Sequence, residues 1–580
     1  MRKHTLLRLW VTSMGASAWP SAWLSAWPSV WLGLSQHALA WNAVTTCMLC
    51  FMLAACSSML PSKSVPSETA QTTATLATVQ PNIILFLVDD LGQQDLSISM
   101  LDRPSSLNAR YFTPNIEKLA ARGMYFSNAY AAAPVCTPSR TAILTGQSPA
   151  RTHITYWTLE KGRDNSSRHP RLDPPSWAVN GAQPTGMELP ALLQHAGYRT
   201  IHVGKAHFGA RGTPGEDPRN FGFDINIAGH AAGAPGSYLG TDAFQESART
   251  KRIGSADTRS SSRAASVWDV PNLDRWHGKT VWLDDVLARE ASDQITRAVT
   301  EQQPFFLHFC PYGVHTPLME DVRFSARFAS LDPIERAYAS MVSAVDDALG
   351  QLVLRCEELG VLDNTLIILT SDNGGLSAVG RGQAPDDGHE HTHNAPLRSG
   401  KGSAYEGGLR VPFVVAGPHV VKQNFACNMP IVGTDLYPTL LAVAGVSTER
   451  QRASGRACDG ENLVPIWRGD LPPLSLQTRS ILFHQPHAWG PTGPGIEPMS
   501  AVRCGDWKLI WFHDRKNGSP RFELFDVQHD PSETVELSMR EPAVFNRLRA
   551  NLCEELRRTG AQWSIDRSTG VPVACPNCCD

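Results

Sequence analysis

The chain carries no acidic residue before Glu68, and across its 580 residues it has no excess of base: 52 lysines and arginines stand against 55 aspartates and glutamates. With no net positive charge and no run of lysine or arginine interleaved with aromatics, it cannot neutralise a row of phosphates, which excludes nucleic acid as a partner. No long internal repeat runs through the body, which removes solenoids and propellers. Charged residues make up only 18% of the chain and hydrophobic ones 42%, a balance that excludes a disordered or fibrous protein. The length allows two to four domains, or one large α/β unit with a smaller appendage.

The acid-free amino end contains Arg2, Lys3 and Arg8, so residues 1–55 carry +3 while the remainder, with 49 bases against 55 acids, carries −6. That asymmetry marks an export signal. Residues 41–56, WNAVTTCMLCFMLAAC, hold a short apolar run whose end, Leu53-Ala54-Ala55-Cys56, resembles a bacterial lipobox. The resemblance implies cleavage before Cys56, a lipid anchor on that cysteine, and a periplasmic or outer-membrane lipoprotein. The stretch before it is longer than such signals and contains SAWPSAWLSAWPSVW, which a start codon placed too far upstream would explain. A plain secretory peptide and a single membrane anchor are the alternatives. The expected organisation is a leader over 1–55, a flexible tether over 56–80, a main domain over 81–469 and a small α+β unit over 470–580.

Three short aliphatic runs, Asn82–Val88, Pro304–Phe309 and Thr365–Thr370, read as strands buried on both faces of a sheet. Between them, apolar residues recur at helical spacing over Pro114–Arg122, Leu283–Val299 and Ile334–Leu359. The alternation predicts an α/β fold with a large, mostly parallel mixed sheet sandwiched by helices. Gly209–Gly278, poor in periodicity, reads as a long surface insertion. In the carboxyl-terminal unit, SAVRCGDWKLIWF and RFELFDV read as paired strands around the turn Asn517-Gly518.

Polar residues gather at the strand ends, where open α/β sheets bind ligands. Asp89, Asp90, Asp372 and Asn373 offer hard oxygens suited to Ca²⁺ or Mg²⁺, although either pair alone also reads as a turn. Pro138 suits the first turn of a helix and sets Cys136 beside free backbone N–H groups, a place that welcomes an anion such as sulfate. Arg140, one turn on, can steady that anion. Lys205 and His207 alternate along one extended segment and so share a face. His202, His230 and His308 read as structural histidines. The group Asp386, Asp387, His389, Glu390, His391 and His393 lacks a tetrahedral zinc spacing and reads as a polar loop near the site mouth.

Taken in order, the motifs are Asp89-Asp90, Cys136-Thr137-Pro138-Ser139-Arg140 with Thr145-Gly146, Gly204-Lys205-Ala206-His207, His315-Thr316-Pro317, Ser371-Asp372-Asn373-Gly374-Gly375, and Lys401 within RSGKGSAYEGGLRVP. Together with Asp459-Gly460 and Gly505-Asp506-Trp507-Lys508-Leu509, they resemble the formylglycine-dependent sulfatases of the alkaline phosphatase superfamily, arylsulfatases and N-acetylgalactosamine-6-sulfatases among them, from residue 81 to about 540. The resemblance implies an alkaline-phosphatase-like fold. It implies that a formylglycine-generating enzyme oxidises Cys136 to Cα-formylglycine, and that one Ca²⁺ or Mg²⁺ is held by Asp89, Asp90, residue 136, Asp372 and Asn373. Cys136, Arg140, Lys205, His207, His315 and Lys401 become the catalytic set. In the implied mechanism the hydrated aldehyde, deprotonated with help from Asp372, attacks sulfur. His315 with Lys401 serves the leaving oxygen, and His207 then triggers sulfate release. The expected substrate is a sulfated carbohydrate or an aryl sulfate. A phosphonate monoester or phosphodiester hydrolase and an inactive glycan-binding relative stay open as rivals. Nine further cysteines, from Cys310 to Cys579, leave the disulfide pattern undecided, including a tail bridge or metal site at Cys575, Cys578 and Cys579.

Overall fold

The computed structural model describes residues 80–252, 266–381, 392–420, 422–447, 455–490, 493–516, 518–573 and 575. The leader and tether expected up to residue 79, with Cys56, lie outside the described residues. Eight strands form the main sheet: β1 (Asn82–Val88), β2 (Met124–Phe126), β3 (Arg199–Gly204), β4 (Ile225–Ile227), β5 (Phe305–Cys310), β6 (Thr365–Ser371), β7 (Phe413–Ala416) and β8 (Phe425–Cys427). Their order is β8-β2-β7-β6-β1-β5-β3-β4, and only β7 runs against its neighbours.

The sequence of β1 dictates its central place. All its residues are buried; Ile84, Phe86 and Val88 enter one hydrophobic cluster while Ile83, Leu85 and Leu87 enter another. A strand apolar on both faces needs a helical layer above and below. On the Ile84 face lie α1 (Pro114–Arg122), α3 (Leu283–Thr300) and α4 (Pro333–Glu358), whose amino end is capped by Asp332 accepting from the Ile334 and Glu335 amides at 3.1 Å. On the other face lies α2 (Cys136–Thr145), buried at every residue. The expected strands and helices lie where the sequence puts them, within a residue or two. The fold is the mostly parallel α/β sheet expected.

The stretch 209–278 is a correction. It contributes the edge strand β4, paired with β3, and Ala228, Ala231, Ala232, Tyr238 and Phe244 are fully buried, so it is woven into the core rather than laid over it. Its residues 253–265 lie outside the described set. The carboxyl-terminal part folds as an antiparallel sheet, β9 (Ser480–Gln485), β10 (Met499–Cys504), β11 (Trp507–Lys516) and β12 (Ser519–Asp526), covered by α5 (Pro542–Thr559). Two tight turns shape it: one before Ser519, and a second at Gly505-Asp506 that splits SAVRCGDWKLIWF into two strands. The opposite face of this sheet packs on the main body through Phe483, Ile510 and Phe525 against Tyr130 and Tyr405. In the tail, Cys575 Sγ lies 3.9 Å from that of Cys553, while Cys578 and Cys579 are outside the described residues. No helix among the described residues is long and apolar enough to cross a membrane.

Candidate active site

Parallel strands bring their carboxyl ends to one edge of the sheet. There β1 delivers Asp89 and Asp90, β3 delivers Lys205 and His207, β5 leads to His315, and β6 delivers Asp372 and Asn373. Helix α2 aims its first residue, Cys136, into the same space. Val135 offers no side-chain cap, so the backbone amides of the first turn remain free to face an anion. Each candidate residue except His315 and Lys401 thus arrives on a regular element or within three residues of one; His315 and Lys401 come on loops. All converge.

Three carboxylates interlock with three cations. Lys205 Nζ is 2.6 Å from Asp89 Oδ1. Lys401 Nζ is 2.6 and 2.8 Å from the two Asp90 oxygens and 3.5 Å from Cys136 Sγ. Arg140 Nε donates to Asp372 Oδ2 at 2.6 Å and its Nη1 to the Lys205 carbonyl at 2.7 Å. The Asp90 amide donates to Asp372 Oδ1 at 3.2 Å, so both Asp372 oxygens are engaged. His315 Nε2 stands 3.6 Å from Asp90 Oδ2.

The donors fit a hard cation. Asn373 Nδ2 donates to Asp90 Oδ1 at 2.8 Å and to the Gly374 carbonyl at 3.0 Å, which fixes the amide and leaves Oδ1 buried without a partner. Asp89 Oδ2 is likewise buried and unbonded. Oxygens of Asp89 and Asp372 and the Cys136 sulfur lie within 4.8 Å of one another. Two orphaned oxygens beside further carboxylates are what Ca²⁺ or Mg²⁺ would satisfy. A second group of ligand atoms, His202, His308 and Cys310, is closed by its own hydrogen bonds: His202 Nδ1 to His308 Nδ1 at 3.1 Å, and His308 Nε2 to Cys310 at 3.2 Å. His202 and His308 are structural, as expected.

Burial and neighbours set the protonation states. Burial raises Asp89 well above the ordinary carboxylate range even with Lys205 beside it. Burial works the same way on Asp90 and Asp372, but Lys401 and His315 hold Asp90 low, and Arg140 and Lys205 hold Asp372 low. Cys136 is raised by burial, so its thiol is a poor nucleophile. His207 is driven well below its ordinary value by burial and by Lys205. Its Nε2 donates to the Thr158 carbonyl at 2.8 Å, leaving a buried Nδ1 lone pair with no partner. That is a neutral imidazole with an unoccupied lone pair, although its lowered pKa makes it a weak base. Burial, then Lys401, lower His315 to about 3.

Two expectations need correcting. Lys205 and His207 do not continue a regular extended segment: Gly204 has φ 97° and His207 φ 54°. Asp90 also sits in the left-handed region, at φ 58°, so two of the site residues hold a conformation that ordinary residues avoid. Of the expected polar loop, Asp386, Asp387, His389, Glu390 and His391 lie outside the described residues. His393 is buried with Nε2 3.6 Å from Glu335, and is no part of a solvated loop.

Some residues that build the site were not visible in the sequence. Asp284 accepts the Tyr312 amide at 2.9 Å and the Gly313 amide at 3.3 Å, propping the loop that carries His315. Asp95 accepts the Gly92 amide and the Tyr338 hydroxyl, at 2.8 and 2.6 Å, and steadies the turn after Asp90. Trp489, from the carboxyl-terminal sheet, lies beside Lys401.

The sulfatase family model matches residues 81–446, and a model of the N-sulphoglucosamine sulphohydrolase carboxyl-terminal region matches residues 400–562. Human N-acetylgalactosamine-6-sulfatase is 31% identical over 476 residues, spanning 79% of this chain and 81% of that protein. A sulfatase of Formosa agariphila is 26% identical over 538 residues, 87% of this chain and 92% of its own. Among solved structures, Ps i-CgsB superposes with a TM-score of 0.64 at 28% identity, covering 83% of this chain and 92% of that one, and it is also solved with k-i-k-neocarrahexaose bound. The chain belongs to the sulfatase family, with its alkaline-phosphatase-like fold, and is a sulfuric ester hydrolase.

Proposed function

We propose that the protein hydrolyses sulfate esters of carbohydrates through a formylglycine at position 136, with one Ca²⁺ or Mg²⁺ held by Asp89, Asp90, Asp372 and Asn373. The observation that carries this is the place of Cys136: first residue of α2, 3.5 Å from Lys401 Nζ, beside two orphaned oxygens, yet with its thiol raised by burial. A thiol in this position is of little use as a nucleophile, whereas a hydrated aldehyde brings two hydroxyls to the same spot. The bound dication supplies positive charge to the nucleophile and to the sulfate oxygens.

One hydroxyl of the hydrate gives up its proton with help from Asp372 and attacks sulfur, forming an O–S bond as the bond to the substrate alcohol breaks. Arg140 and Lys205 balance the charge that develops on sulfate. Lys401, kept charged against burial by Asp90, supplies the proton of the departing oxygen, with His315 beside it. His207 Nδ1 then takes the proton of the second hydroxyl. The carbonyl re-forms, its bond to the sulfate oxygen breaks, and inorganic sulfate leaves. Water hydrates the aldehyde for the next cycle.

The carbohydrate reading draws on relatives named for sugar sulfates and on the bound neocarrahexaose of Ps i-CgsB. Maturation by a formylglycine-generating enzyme, and export as a lipoprotein anchored at Cys56 in the periplasm or outer membrane, belong to the same proposal. They rest on the Cys136–Arg140 motif and on the acid-free leader. The test is peptide mass spectrometry across Cys136 on protein coexpressed with a formylglycine-generating enzyme, with turnover of sulfated sugars, nitrophenyl sulfate and nitrophenyl phenylphosphonate. An aldehyde at 136 with chelator-sensitive sulfate release is expected. Full turnover by protein that carries only the thiol would overturn the proposal, and faster cleavage of the phosphonate would reassign the substrate.

A further inference from the structure

We infer that Trp489 is the platform on which the sugar ring of the substrate rests, beside the ammonium of Lys401. The inference deepens the carbohydrate reading above and rests on it.

The floor of the site is sealed. Asp89, Asp90, Lys205, Asp372 and Asn373 have no exposed surface and Arg140 almost none, while the side chain of His315 keeps 18% of its surface. Substrate therefore enters from the end where His315 stands, with the buried Lys401 beside it. The sulfate group must reach the floor at Cys136, so the alcohol portion, the part that differs between sulfate esters, stays at that open end. Whatever recognises the sugar must line it.

Trp489 is placed to do so. It belongs to the connection between β9 and β10, so the carboxyl-terminal sheet and not the main sheet delivers it. Its indole packs against the backbone just after Lys401: a Cβ on Gly402 would fall 2.0 Å from the ring carbon Cε3, and Gly402 has φ 87°. Only glycine permits that approach. Lys401 Nζ is 5.9 Å from the ring centroid. Trp489 as a whole is half-buried. The segment that carries it is tied down on its amino-terminal side. The Ala488 carbonyl accepts the Ser167 amide at 3.1 Å, and His487 is clamped between the hydroxyls of Thr155 and Ser166, each at 2.8 Å.

Attraction to Lys401 does not explain the indole. At 5.9 Å, with the ammonium already 2.6 Å from Asp90, a cation–π contact contributes little. A large flat apolar surface beside Lys401 instead matches the C–H face of a pyranose, which stacks on aromatic rings and leaves its hydroxyls free for polar partners.

The test compares wild type, Trp489→Ala, Trp489→Leu and Trp489→Phe, all coexpressed with a formylglycine-generating enzyme. KM and kcat are measured on a panel of sulfated mono- and oligosaccharides, and the Ki of inorganic sulfate as product inhibitor is measured alongside. The expected result for the alanine and leucine variants is a KM for sulfated sugar raised roughly tenfold with kcat kept. The sulfate Ki should not move, and phenylalanine should restore most of the loss. An unchanged KM would overturn the platform. So would parallel losses in KM and sulfate Ki that phenylalanine does not rescue, because Trp489 would then act only by holding the Lys401 loop. If wild type cleaves nitrophenyl sulfate and none of the sugars, the carbohydrate reading itself falls, and the platform with it.

Discussion

Two buried charge clusters, joined by the stretch from Lys401 to Arg410, are built from the same ingredients and finished differently. In the active site, Asp89, Asp90 and Asp372 meet Arg140, Lys205 and Lys401, yet Asp89 Oδ2 and Asn373 Oδ1 are left without partners. In the second, Glu406 and Glu533 meet Arg410, Lys508 and Arg503. Glu406 accepts from Lys508 at 2.8 Å and from the Tyr130 hydroxyl at 2.7 Å, with Arg410 Nε paired to it at 2.8 Å. Glu533 Oε2 accepts the Glu406 amide at 2.7 Å, and its Oε1 is ion-paired to Lys508, also at 2.7 Å. Every carboxylate oxygen there has a donor or a cation within 2.8 Å, although Arg503 Nε and Nη2 are left without hydrogen bonds. The closed cluster pins the carboxyl-terminal sheet to the loop that bears Lys401. The open one reserves oxygens for something the chain does not itself supply. Equal burial and similar charge therefore serve fixation in one place and chemistry in the other, and the oxygens left with neither donor nor cation tell them apart.

The sharpest way to break this contrast is to substitute one member of each. Asp89→Asn in the open cluster is expected to lower kcat for sulfate ester hydrolysis by about 10³-fold, since it removes charge from the cation cage. The melting temperature should move less than in the closed-cluster variant. Retention of ordinary turnover would end the claim that these oxygens are reserved for catalysis. Lys508→Met in the closed cluster leaves Glu533 buried without its cation, while Glu406 keeps Arg410 and Tyr130, and should cost about 3–5 kcal/mol of unfolding free energy in denaturant titrations. Its folded fraction should still turn over substrate. A melt indistinguishable from wild type would show that the cluster fixes nothing.

A smaller effect separates the regions by pH. His487, near the closed cluster's sheet, is lowered to about 3, and His484 to about 4, in each case first by burial. Asp164 partly offsets the shift for His487, while His153 adds to that for His484. With a folded pKa below the unfolded value of about 6.5, the unfolded chain binds the extra proton, so stability is complete above pH ~6.5 and declines as the pH falls toward the folded value. Between pH 6.5 and 5 each histidine should account for about 2 kcal/mol of lost stability. His487→Asn should flatten the slope of unfolding free energy against pH over that window. An unchanged slope would locate the acid sensitivity elsewhere.

Much of this was legible in the sequence for physical reasons. A run such as NIILFLV can only be a strand covered on both faces, and the helices between such runs announce themselves by apolar spacing. The catalytic residues were legible through their resemblance to sulfatase motifs, and sheet topology explains why the ends of β1, β3, β5 and β6 then meet. What escaped reading depends on partners far away in the chain. Glu406 meets Lys508 and Glu533 across 102 and 127 residues, with no local pattern to betray the pairing. Strand β4 is three half-buried residues in a glycine-rich stretch, too short for any periodicity to register. Trp489 looks like any loop tryptophan until the carboxyl-terminal sheet lays it on Gly402.

The smallest predicted effect marks where the comparison stops applying. Arg355 and Glu358, one turn apart near the end of α4, form an ion pair at 3.0 Å with side chains 39% and 49% exposed. The charges resemble those of both clusters, but water competes for each of them, salt screens the attraction, and two long side chains lose freedom to meet. Arg355→Ala should therefore change unfolding free energy by no more than about 0.5 kcal/mol, and by less still in high salt. Set beside Lys508→Met in the same denaturant titration, it isolates burial as the variable. If Arg355→Ala cost as much as Lys508→Met, the number of charges rather than their exclusion from water would govern stability, and the distinction between closed and open clusters would lose its physical basis.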